Sequence, residues 1–388
     1  MSKIFIKKDR EKMWQSGHPW MYSGAVEKIE GNPEAGSVVE VYNWKKEFIG
    51  YGHYNKNSKI MVRMLEKDVD KKIDLNWYSE KVREAYALRK MINIDSDGYR
   101  LIHSESDLLP GVIVDRFGDY LVVQASTLGM EKDKGFLIEA LKKEIPKVKG
   151  IYEKSEGDGR RLEGLPEISG VLFGEVPDEI EIFEGDAKFT IDLKGQKTGF
   201  YSDQRESRLL MGSLSKDKDF LDVCSYTGGF SLHAMVNGAN SSTLIDASED
   251  VLNVARKNLS DYKNVEFIKG NIFNVLRELI KEECQWDIVN LDPPKLAPNR
   301  RDLDKALKAY KDIILNGIRL TKKGGLLSIY SCSGAVTSTD LRMALAYAIK
   351  DAGVKAVIVN QLHQSPCHPI SVAVPETEYL KGFLVRII

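Results

Sequence analysis

The clearest pattern of hydrophobic and polar positions lies in the C-terminal half of the chain, where short apolar runs alternate with helical segments. The runs have the length of buried strands and fall at 220–223, 243–246, 265–268, 287–291, 325–330, 357–359 and 383–388. Apolar residues at 251, 252, 254, 255 and 259 share one helical face, with Ser248 as the predicted N-cap. This alternation predicts a doubly wound, mostly parallel α/β sheet.

The N-terminal half has a different pattern. Residues 1–72 contain short strand-like runs, at 38–42 and 60–65, separated by turns, which favours a small β-barrel. Residues 73–188 contain both helical and strand-like spacings of apolar residues, with helices predicted over 75–92 and 132–143. A hairpin is predicted over 111–124, turning at Gly118-Asp119. The charged, glycine-containing stretch 156–161 is predicted to be a loop.

Composition narrows the class of protein. The chain has 388 residues, of which 43% are apolar and 29% charged, as in ordinary globular proteins of two or three domains. No apolar run approaches the roughly 18 residues that cross a bilayer, and the charged first segment is unlike a signal peptide. A cytoplasmic location is therefore expected, with no membrane partner. The net charge of −1 excludes a uniformly basic nucleic-acid binder, although residues 1–12 carry an excess of Lys and Arg.

Four cysteines are scattered along the chain, at 224, 284, 332 and 367. None forms a CxxC pair, and their spacing does not suit zinc, so no metal is expected. Free thiols are expected in a reducing compartment. Most such thiols are inert core residues.

A cofactor site is predicted where the first strands of the alternating region end. Gly228 and Gly229 follow the strand 220–223 and allow a ligand to approach the backbone closely. The next strand ends in Asp246, a residue that can accept hydrogen bonds from both ribose hydroxyls of a nucleoside. The GxGxxG fingerprint is absent, so a nucleoside without a pyrophosphate fits best. S-adenosylmethionine is the predicted cofactor, with the Asp222 carboxylate near its cationic sulfonium.

Two later strand ends carry reactive side chains. Asp292 is followed by two prolines that fix its direction, and Cys332 follows the run 325–330. Ligands of parallel α/β sheets bind outside the carboxyl ends of the strands, so both side chains are expected to face one crevice. A thiolate beside a carboxylate indicates covalent chemistry on an electrophilic ring, and cytosine is the leading candidate. Cys367, beside His368, is the competing nucleophile.

Taken together, an ordered set of motifs resembles a known family. The set comprises Gly195-Gln196-Lys197-Thr198-Gly199-Phe200-Tyr201-Ser202-Asp203-Gln204-Arg205, Ser225-Tyr226-Thr227-Gly228-Gly229-Phe230, Asp292-Pro293-Pro294-Lys295, Tyr310-Lys311-Asp312, Ser331-Cys332-Ser333-Gly334, His368-Pro369 and Tyr379-Leu380-Lys381-Gly382-Phe383. It is similar to the S-adenosylmethionine-dependent cytosine methyltransferases of the RlmI type, which act on large-subunit rRNA. The front end, with Gly17-His18-Pro19-Trp20, resembles the PUA domain of that family. The match covers essentially the whole chain.

The resemblance implies three domains. They are a PUA-like RNA-binding domain at 1–72, a central α/β domain at 73–188 and a Rossmann-like class I methyltransferase core at 189–388. In that core the last strand is expected to be antiparallel and inserted between the fifth and sixth. The resemblance also implies methylation of cytosine carbon 5 in 23S rRNA, with Cys332 and Asp292 as catalytic residues. The implied cofactor-binding residues are Asp203, Gln204, Asp222, Ser225, Tyr226, Thr227, Gly228, Gly229, Asp246, Asn271, Asp292 and Pro293.

The chain departs from the family pattern at two positions. Asn271 stands where the family commonly has an acid near the adenine, and its amide can still hydrogen-bond that base. Lys295 stands where some other RNA cytosine methyltransferases have a second cysteine. The base that removes the carbon 5 proton is therefore not identified by the sequence.

Large-subunit rRNA is the expected partner, and a homodimer is left open. The basic residues predicted to contact RNA are Lys7, Arg10, Lys197, Arg205, Lys295 and Arg300, with Lys8, Arg208 and Arg301 as further candidates. For each of them an ordinary solvated charge is an equally good interpretation. Two other functions stay open: methylation of a guanine nitrogen in rRNA, which needs no thiol, and a non-catalytic RNA-binding or ribosome-assembly role.

Overall fold

The computed structural model describes residues 1–193 and 199–388. Tertiary contacts divide the chain into two compact units. The first comprises Met1–Ile180, Leu193–Ser202 and Pro366–Thr377, and the second comprises Glu181–Asp192, Asp203–Ser365 and Glu378–Ile388. In the part of the chain that the structure describes, no helix is both long enough and apolar enough to span a membrane.

The first unit begins with a six-stranded sheet. Its elements are β1 (Lys3–Ile6), α1 (Lys12–Gln15), β2 (Trp20–Tyr22), β3 (Val26–Glu30), β4 (Val38–Tyr42), β5 (Phe48–Tyr54) and β6 (Ile60–Glu66). The strand order is β2-β6-β5-β4-β1-β3. Alternate residues of β1 and β4 point inward, so that Ile4, Ile6, Val39 and Val41 form the core. The strands predicted over 38–42 and 60–65 are confirmed.

A five-stranded sheet with two packed helices follows in the same unit. Its elements are α2 (Leu75–Met91), β7 (Gly98–His103), β8 (Val112–Phe117), β9 (Tyr120–Ala125), α3 (Leu128–Glu144), β10 (Gly150–Ser155), α4 (Asp158–Leu162) and β11 (Ile168–Gly174). The strand order is β11-β10-β9-β8-β7, and β8 and β9 form the predicted hairpin. Asp74 caps α2 by accepting hydrogen bonds from the first-turn amides.

The prediction of a loop over 156–161 is wrong, because α4 begins at Asp158. Its Arg160 is buried and donates to the carbonyl oxygens of Ala125 and Pro166 and to the carboxylate of Glu131. These contacts anchor a helix that is too short to be stable by propensity.

Two further strands, β12 (Glu179–Glu184) and β13 (Ala187–Asp192), pair in a two-stranded sheet. The remaining elements are α5 (Arg205–Ser213), β14 (Asp219–Val223), α6 (Gly229–Val236), β15 (Ser241–Asp246), α7 (Glu249–Asn258), β16 (Val265–Lys269), α8 (Ile272–Lys281), β17 (Trp286–Leu291), α9 (Leu303–Leu320), β18 (Thr321–Ser331), α10 (Ser338–Ala352), β19 (Ala356–His363) and β20 (Lys381–Ile387).

The main sheet of the second unit has the order β16-β15-β14-β17-β18-β20-β19. The first five strands in this order are mutually parallel, and β20 is antiparallel to both β18 and β19. The last strand is thus inserted between the fifth and sixth, as predicted, and the Rossmann-like fold is confirmed. The carboxyl ends of β14, β15, β17 and β18 meet at one edge, where the candidate site lies.

Candidate active site

The loop after β14 has an unusual backbone. Cys224, Tyr226 and Gly228 have φ angles of 61°, 49° and 78°, a left-handed conformation that non-glycine residues rarely adopt. Strain of this kind is typical of functional sites. Gly229 begins α6, and a Cβ atom there would lie 2.9 Å from Cδ of Arg208. Gly228 therefore suits the left-handed backbone of the loop, and Gly229 lets the start of α6 pack closely against Arg208.

Asp222 lies beneath this loop in a fully buried hydrogen-bond network. Its carboxylate accepts from Nδ2 of Asn290 at 2.9 Å, and from the amide and hydroxyl of Ser231 at 3.2 and 2.9 Å. Ser328 donates to Asn290, so that side chains of three adjacent strands, β14, β17 and β18, are joined. Burial raises the pKa of Asp222 to about 6, and the nearby Asp246 carboxylate adds to this effect.

Asp246, at the end of β15, organises the backbone around it. One carboxylate oxygen accepts from the amide of Tyr226 at 3.0 Å, and the other accepts from the amide of Ser248 at 3.0 Å. Asn271, after β16, is the N-cap of α8, and its carbonyl oxygen accepts from the amide of Phe273. The side-chain NH₂ group of Asn271 is therefore the part that is directed away from the helix cap.

Asp292 follows β17, and its amide donates to the carbonyl of Val223 on the neighbouring strand. Nε2 of Gln204 donates to the Asp292 carboxylate at 3.1 Å. Burial, followed by repulsion from Asp203 and Asp222, raises the pKa of Asp292 to about 7, although the bond from Gln204 opposes the shift. Asp292 can therefore hold or release a proton near neutral pH.

Three polar atoms of the residues predicted to bind the cofactor are buried without a hydrogen-bond partner among the described residues. They are Oδ1 of Asp203, Oε1 of Gln204 and Oγ of Ser225. The other oxygen of Asp203 accepts from the hydroxyl of Tyr379 at 2.7 Å, which fixes the carboxylate. Buried acceptors of this kind are normally satisfied, so this set suits a ligand that brings donors or positive charge.

Cys332 follows β18, the strand adjacent to β17, and is partly exposed. Hydrogen bonds hold the serines on either side of it. Tyr310 donates to the hydroxyl oxygen of Ser331 at 2.8 Å. The hydroxyl of Ser333 accepts from the amide of Ala297 at 3.1 Å. The last bond connects the loop after Cys332 to the loop after Asp292, and so holds the two together.

The other cysteines are less suited to react. Cys367 belongs to the first unit and is 0% exposed, with Sγ 3.2 Å from Nδ1 of His368. Burial, together with nearby carboxylates, raises the pKa of Cys224. Cys284 lies between α8 and β17, at the amino end of that strand and so away from the carboxyl ends where the site lies.

Comparison with known proteins identifies the family. A family model for a PUA-like domain matches residues 4–67, and one for a methyltransferase domain matches residues 214–370. The chain is 38% identical to ribosomal RNA large subunit methyltransferase I of Tolumonas auensis, covering 99% of each chain. It is 36% identical to the protein of that name from Alteromonas mediterranea, covering 100% of this chain and 99% of the other.

The chain belongs to the ribosomal RNA large subunit methyltransferase I family. Two solved structures share the fold of this family member over the full length of both chains, each at 20% identity. One is from Streptococcus mutans and is assigned as a SAM-dependent methyltransferase, with a TM-score of 0.84. The other is assigned as a methyltransferase in complex with SAH, with a TM-score of 0.85.

The basic residues of this family member fall into two groups. Lys7, Lys8 and Arg10 are exposed in the first unit, and Lys295, Arg300 and Arg301 are exposed in the second. Lys197 lies outside the described residues. The structure contradicts the prediction that Arg205 and Arg208 contact phosphate, since they are 2% and 3% exposed.

Both arginines are held by neighbouring side chains instead. Arg208 forms a bidentate ion pair with Glu184, at 2.6 and 2.7 Å, and His233 contacts the same carboxylate. Burial alone would raise the pKa of Glu184, but Arg208 and His233 hold it at about 2. Arg205 donates to Glu206 and to the hydroxyl of Ser365.

Sequence reasoning missed one exposed aromatic residue of the first unit. Trp44 is 43% exposed, and Nζ of Lys8 and of Lys45 lie 5.3 and 5.5 Å from its ring centroid. Asn43 holds this turn by accepting from the amides of Lys45 and Glu47. In the sequence, Trp44 is followed directly by Lys45 and Lys46, and an aromatic residue beside basic residues is typical of surfaces that bind single-stranded nucleic acid.

Proposed function

We propose that this protein methylates carbon 5 of a cytosine in 23S rRNA, with S-adenosylmethionine as the methyl donor, through a covalent bond between Cys332 and the ring. The proposal depends above all on one observation. Asp292 and Cys332 follow the adjacent parallel strands β17 and β18, in which Leu291 pairs with Ile329. The relatives named for methylation of large-subunit rRNA support the substrate class, and the PUA-like domain supports RNA binding.

The residues around the loop after β14 fit S-adenosylmethionine. In this proposal Asp246 accepts hydrogen bonds from the ribose hydroxyls, and the NH₂ group of Asn271 donates to an adenine ring nitrogen. The buried acceptors on Asp203, Gln204 and Ser225 suit an ammonium group. When bound, the cofactor supplies an electrophilic methyl group, and its sulfur keeps the electron pair of the S–CH₃ bond that breaks. The excess of carboxylates favours a ligand with a cationic sulfonium.

Cys332 supplies the nucleophile, because carbon 5 of cytosine is too weak a nucleophile unaided. The thiolate forms a bond to carbon 6, and the electron pair of the carbon 5–carbon 6 double bond becomes available at carbon 5. Partial exposure lets the thiol meet a base that has been turned out of its stack, which costs a few kcal/mol. The bonds from Tyr310 and Ala297 to the flanking serines hold the nucleophile in place.

Asp292 supplies a proton during this addition. In its protonated form it donates to ring nitrogen 3, which neutralises the negative charge that thiolate attack would place on the ring. A pKa of about 7 keeps a large fraction of Asp292 protonated at neutral pH. In the release step a base takes the carbon 5 proton, the carbon 6–sulfur bond breaks, and nitrogen 3 returns its proton to Asp292. Lys295 replaces the second cysteine, so the base is another group or water.

Replacement of the nucleophile tests the proposal. Cys332→Ala is expected to abolish methyl transfer to rRNA while S-adenosylmethionine still binds, as measured by calorimetry. Cys284→Ala is the matched control, because this thiol is also partly exposed but lies at the amino end of β17, away from the carboxyl ends of the strands. Full activity in the Cys332 variant would exclude the covalent mechanism.

Trapping identifies the base that is attacked. RNA with 5-fluorocytosine at the target position is expected to form an adduct that survives denaturation, and Cys332→Ala is expected to form none. Methylation of a guanine nitrogen would give no adduct, and nucleoside mass spectrometry would show methylguanosine instead of 5-methylcytosine. A purely RNA-binding role predicts no methylated product at all.

A further inference from the structure

Lys381 lies directly beside the loop that carries Cys332. It begins β20, which runs antiparallel to β18, and the pairing register places Lys381 opposite Ser331. Ser331 is the last residue of β18 and immediately precedes Cys332. The insertion of β20 next to β18 therefore brings one lysine to the strand end where the proposed nucleophile lies.

Gly382 fixes this register. A Cβ atom at this position would lie 2.7 Å from the carbonyl oxygen of Ile329 and 2.8 Å from the ring of Tyr330. Only glycine lets β20 approach β18 this closely without a shift of the backbone. The sequence Lys381-Gly382 thus sets both the approach of the strand and the position of the ammonium group.

The ammonium group of Lys381 holds the loop after Cys332. Nζ donates to the carbonyl oxygen of Ser333 at 3.1 Å and to that of Val336 at 2.8 Å. Within residues 1–193 and 199–388, Lys381 forms no salt bridge, so both of its hydrogen-bond partners are neutral. A partly buried ammonium whose charge is not cancelled by a paired carboxylate interacts strongly with other groups nearby.

Several charged groups share this environment. Burial lowers the pKa of Lys381, while Glu378, Cys332 and Asp340 each oppose that shift. Asp340 is already engaged in capping α10 through Thr337. Tyr310, which interacts electrostatically with Cys332 and Asp292, is an uncharged phenol at neutral pH, and burial raises its pKa further. Arg300 also acts on Asp340. Among the described residues, Lys381 is therefore a cation next to this strand end whose charge acts on Cys332.

We propose that Lys381 is a positioning residue for the reaction, which holds the Cys332 loop through two carbonyl groups and stabilises the Cys332 thiolate by its positive charge. The inference rests on the assignment of Cys332 as nucleophile in the proposed function. The thiol gives its proton to solvent and Lys381 keeps its own, so that an ammonium and a thiolate face each other without net charge. An isolated thiol would be only about 3% ionised at pH 7, so a nearby cation raises the reactive fraction.

The test is the pH dependence of Cys332 alkylation by iodoacetamide, followed by mass spectrometry of the cysteine-containing peptides. Lys381→Arg keeps the charge, Lys381→Gln keeps hydrogen-bond donors without the charge, and Lys381→Met keeps neither. The alkylation midpoint of Cys332 is expected to rise by about one pH unit or more in the Gln and Met variants, the usual effect of one nearby charge. At pH 7 the alkylation rate is then expected to fall about tenfold, whereas the Arg variant should resemble the wild type.

Cys284 provides an internal control in every sample, because its midpoint should be the same in all four proteins. Thermal unfolding and cofactor binding show whether each variant is folded. Identical Cys332 profiles in all four proteins would overturn the proposal. A Gln variant that behaves like the Arg variant would also overturn it, since the loop contact alone would then account for the role of Lys381.

This experiment is independent of methyl transfer. If 5-fluorocytosine RNA gave no adduct while the Cys332 midpoint still depended on the charge at position 381, the proposed reaction would fail and the electrostatic pairing would stand. If the adduct formed in the wild type but the midpoint did not move, the reaction would stand and the role of Lys381 would fall.

Discussion

Replacement of Asp292 by asparagine is expected to stabilise the protein at high pH while it abolishes activity. Burial and the neighbouring Asp203 and Asp222 raise the pKa of Asp292 from 3.8 to about 7. The folded state therefore binds this proton more tightly than the unfolded state does. The stability that depends on this proton is fully present below pH 4 and is lost as the pH rises through 7. An amide keeps the shape of the side chain and can still accept from Gln204.

The size of the effect follows from the shift. A change of about three pH units, at 1.36 kcal/mol each, corresponds to about 4 kcal/mol of unfolding free energy above pH 7. This is an upper limit, because Asp292 is partly exposed and solvent weakens the interactions of its charge. We expect the asparagine variant to match the wild type near pH 4 and to exceed it by at least about 1 kcal/mol at pH 8.5.

Urea denaturation of both proteins at pH 4 to 8.5 measures this difference. The matched control is Asp287→Asn, at the other end of the same strand. Asp287 accepts hydrogen bonds from Lys322 and from the amide of Asp219, and its pKa is lowered despite burial. That variant should be less stable than the wild type above pH 4, so the two substitutions act in opposite directions. The reasoning is refuted if Asp292→Asn is no more stable than the wild type at pH 8.5.

Four further predictions follow from the site and its surroundings. Gly229→Ala should weaken cofactor binding at least tenfold by calorimetry, because the added Cβ meets the Arg208 side chain. Arg208→Lys should lower the free energy of unfolding by about 3 kcal/mol through loss of the bidentate pair with Glu184. The same variant should leave the salt dependence of RNA binding unchanged. Lys295→Gln should lessen the slope of log affinity against log salt by about one if this lysine contacts a phosphate. S-adenosylmethionine should bind more tightly at pH 8 than at pH 6, and S-adenosylhomocysteine, which lacks the sulfonium charge, should show a smaller change.

The main sheet could be predicted because its central strands, such as β14, β15 and β17, are buried on both faces and read as continuous apolar runs. The position of β20 between β18 and β19 does not follow from any apolar run. It depends on which strands pair, and it came from the family resemblance. The short helix α4 was missed because it is stabilised by contacts of Arg160 with residues far away in the sequence.

The candidate site could be predicted in its residue types but not in its electrostatics. Asp222, Asp246 and Asp292 are all at strand ends, as the pattern indicated. Whether an arginine faces solvent or a buried carboxylate depends on the three-dimensional packing of β12 and α5, which the local sequence does not contain. The prediction that Arg208 contacts RNA was therefore wrong. Its partner Glu184 is one of many acidic residues in the sequence, and nothing in the local sequence pairs the two.

Two buried carboxylates of the site lower the stability of the folded protein when they are ionised. Asp222 and Asp292 are held close enough to repel each other, and both have a raised pKa, so the folded protein keeps carboxylates that favour protonation near neutral pH. A neutral residue at either position would relieve this repulsion, but in the proposed mechanism a neutral residue at 292 could no longer exchange a proton with the cytosine. Since a bound cation favours the ionised form of these acids, cofactor binding and the proton state of Asp292 must be coupled. In the proposed mechanism, the same acids that lower the stability of the folded chain therefore favour a cationic methyl donor.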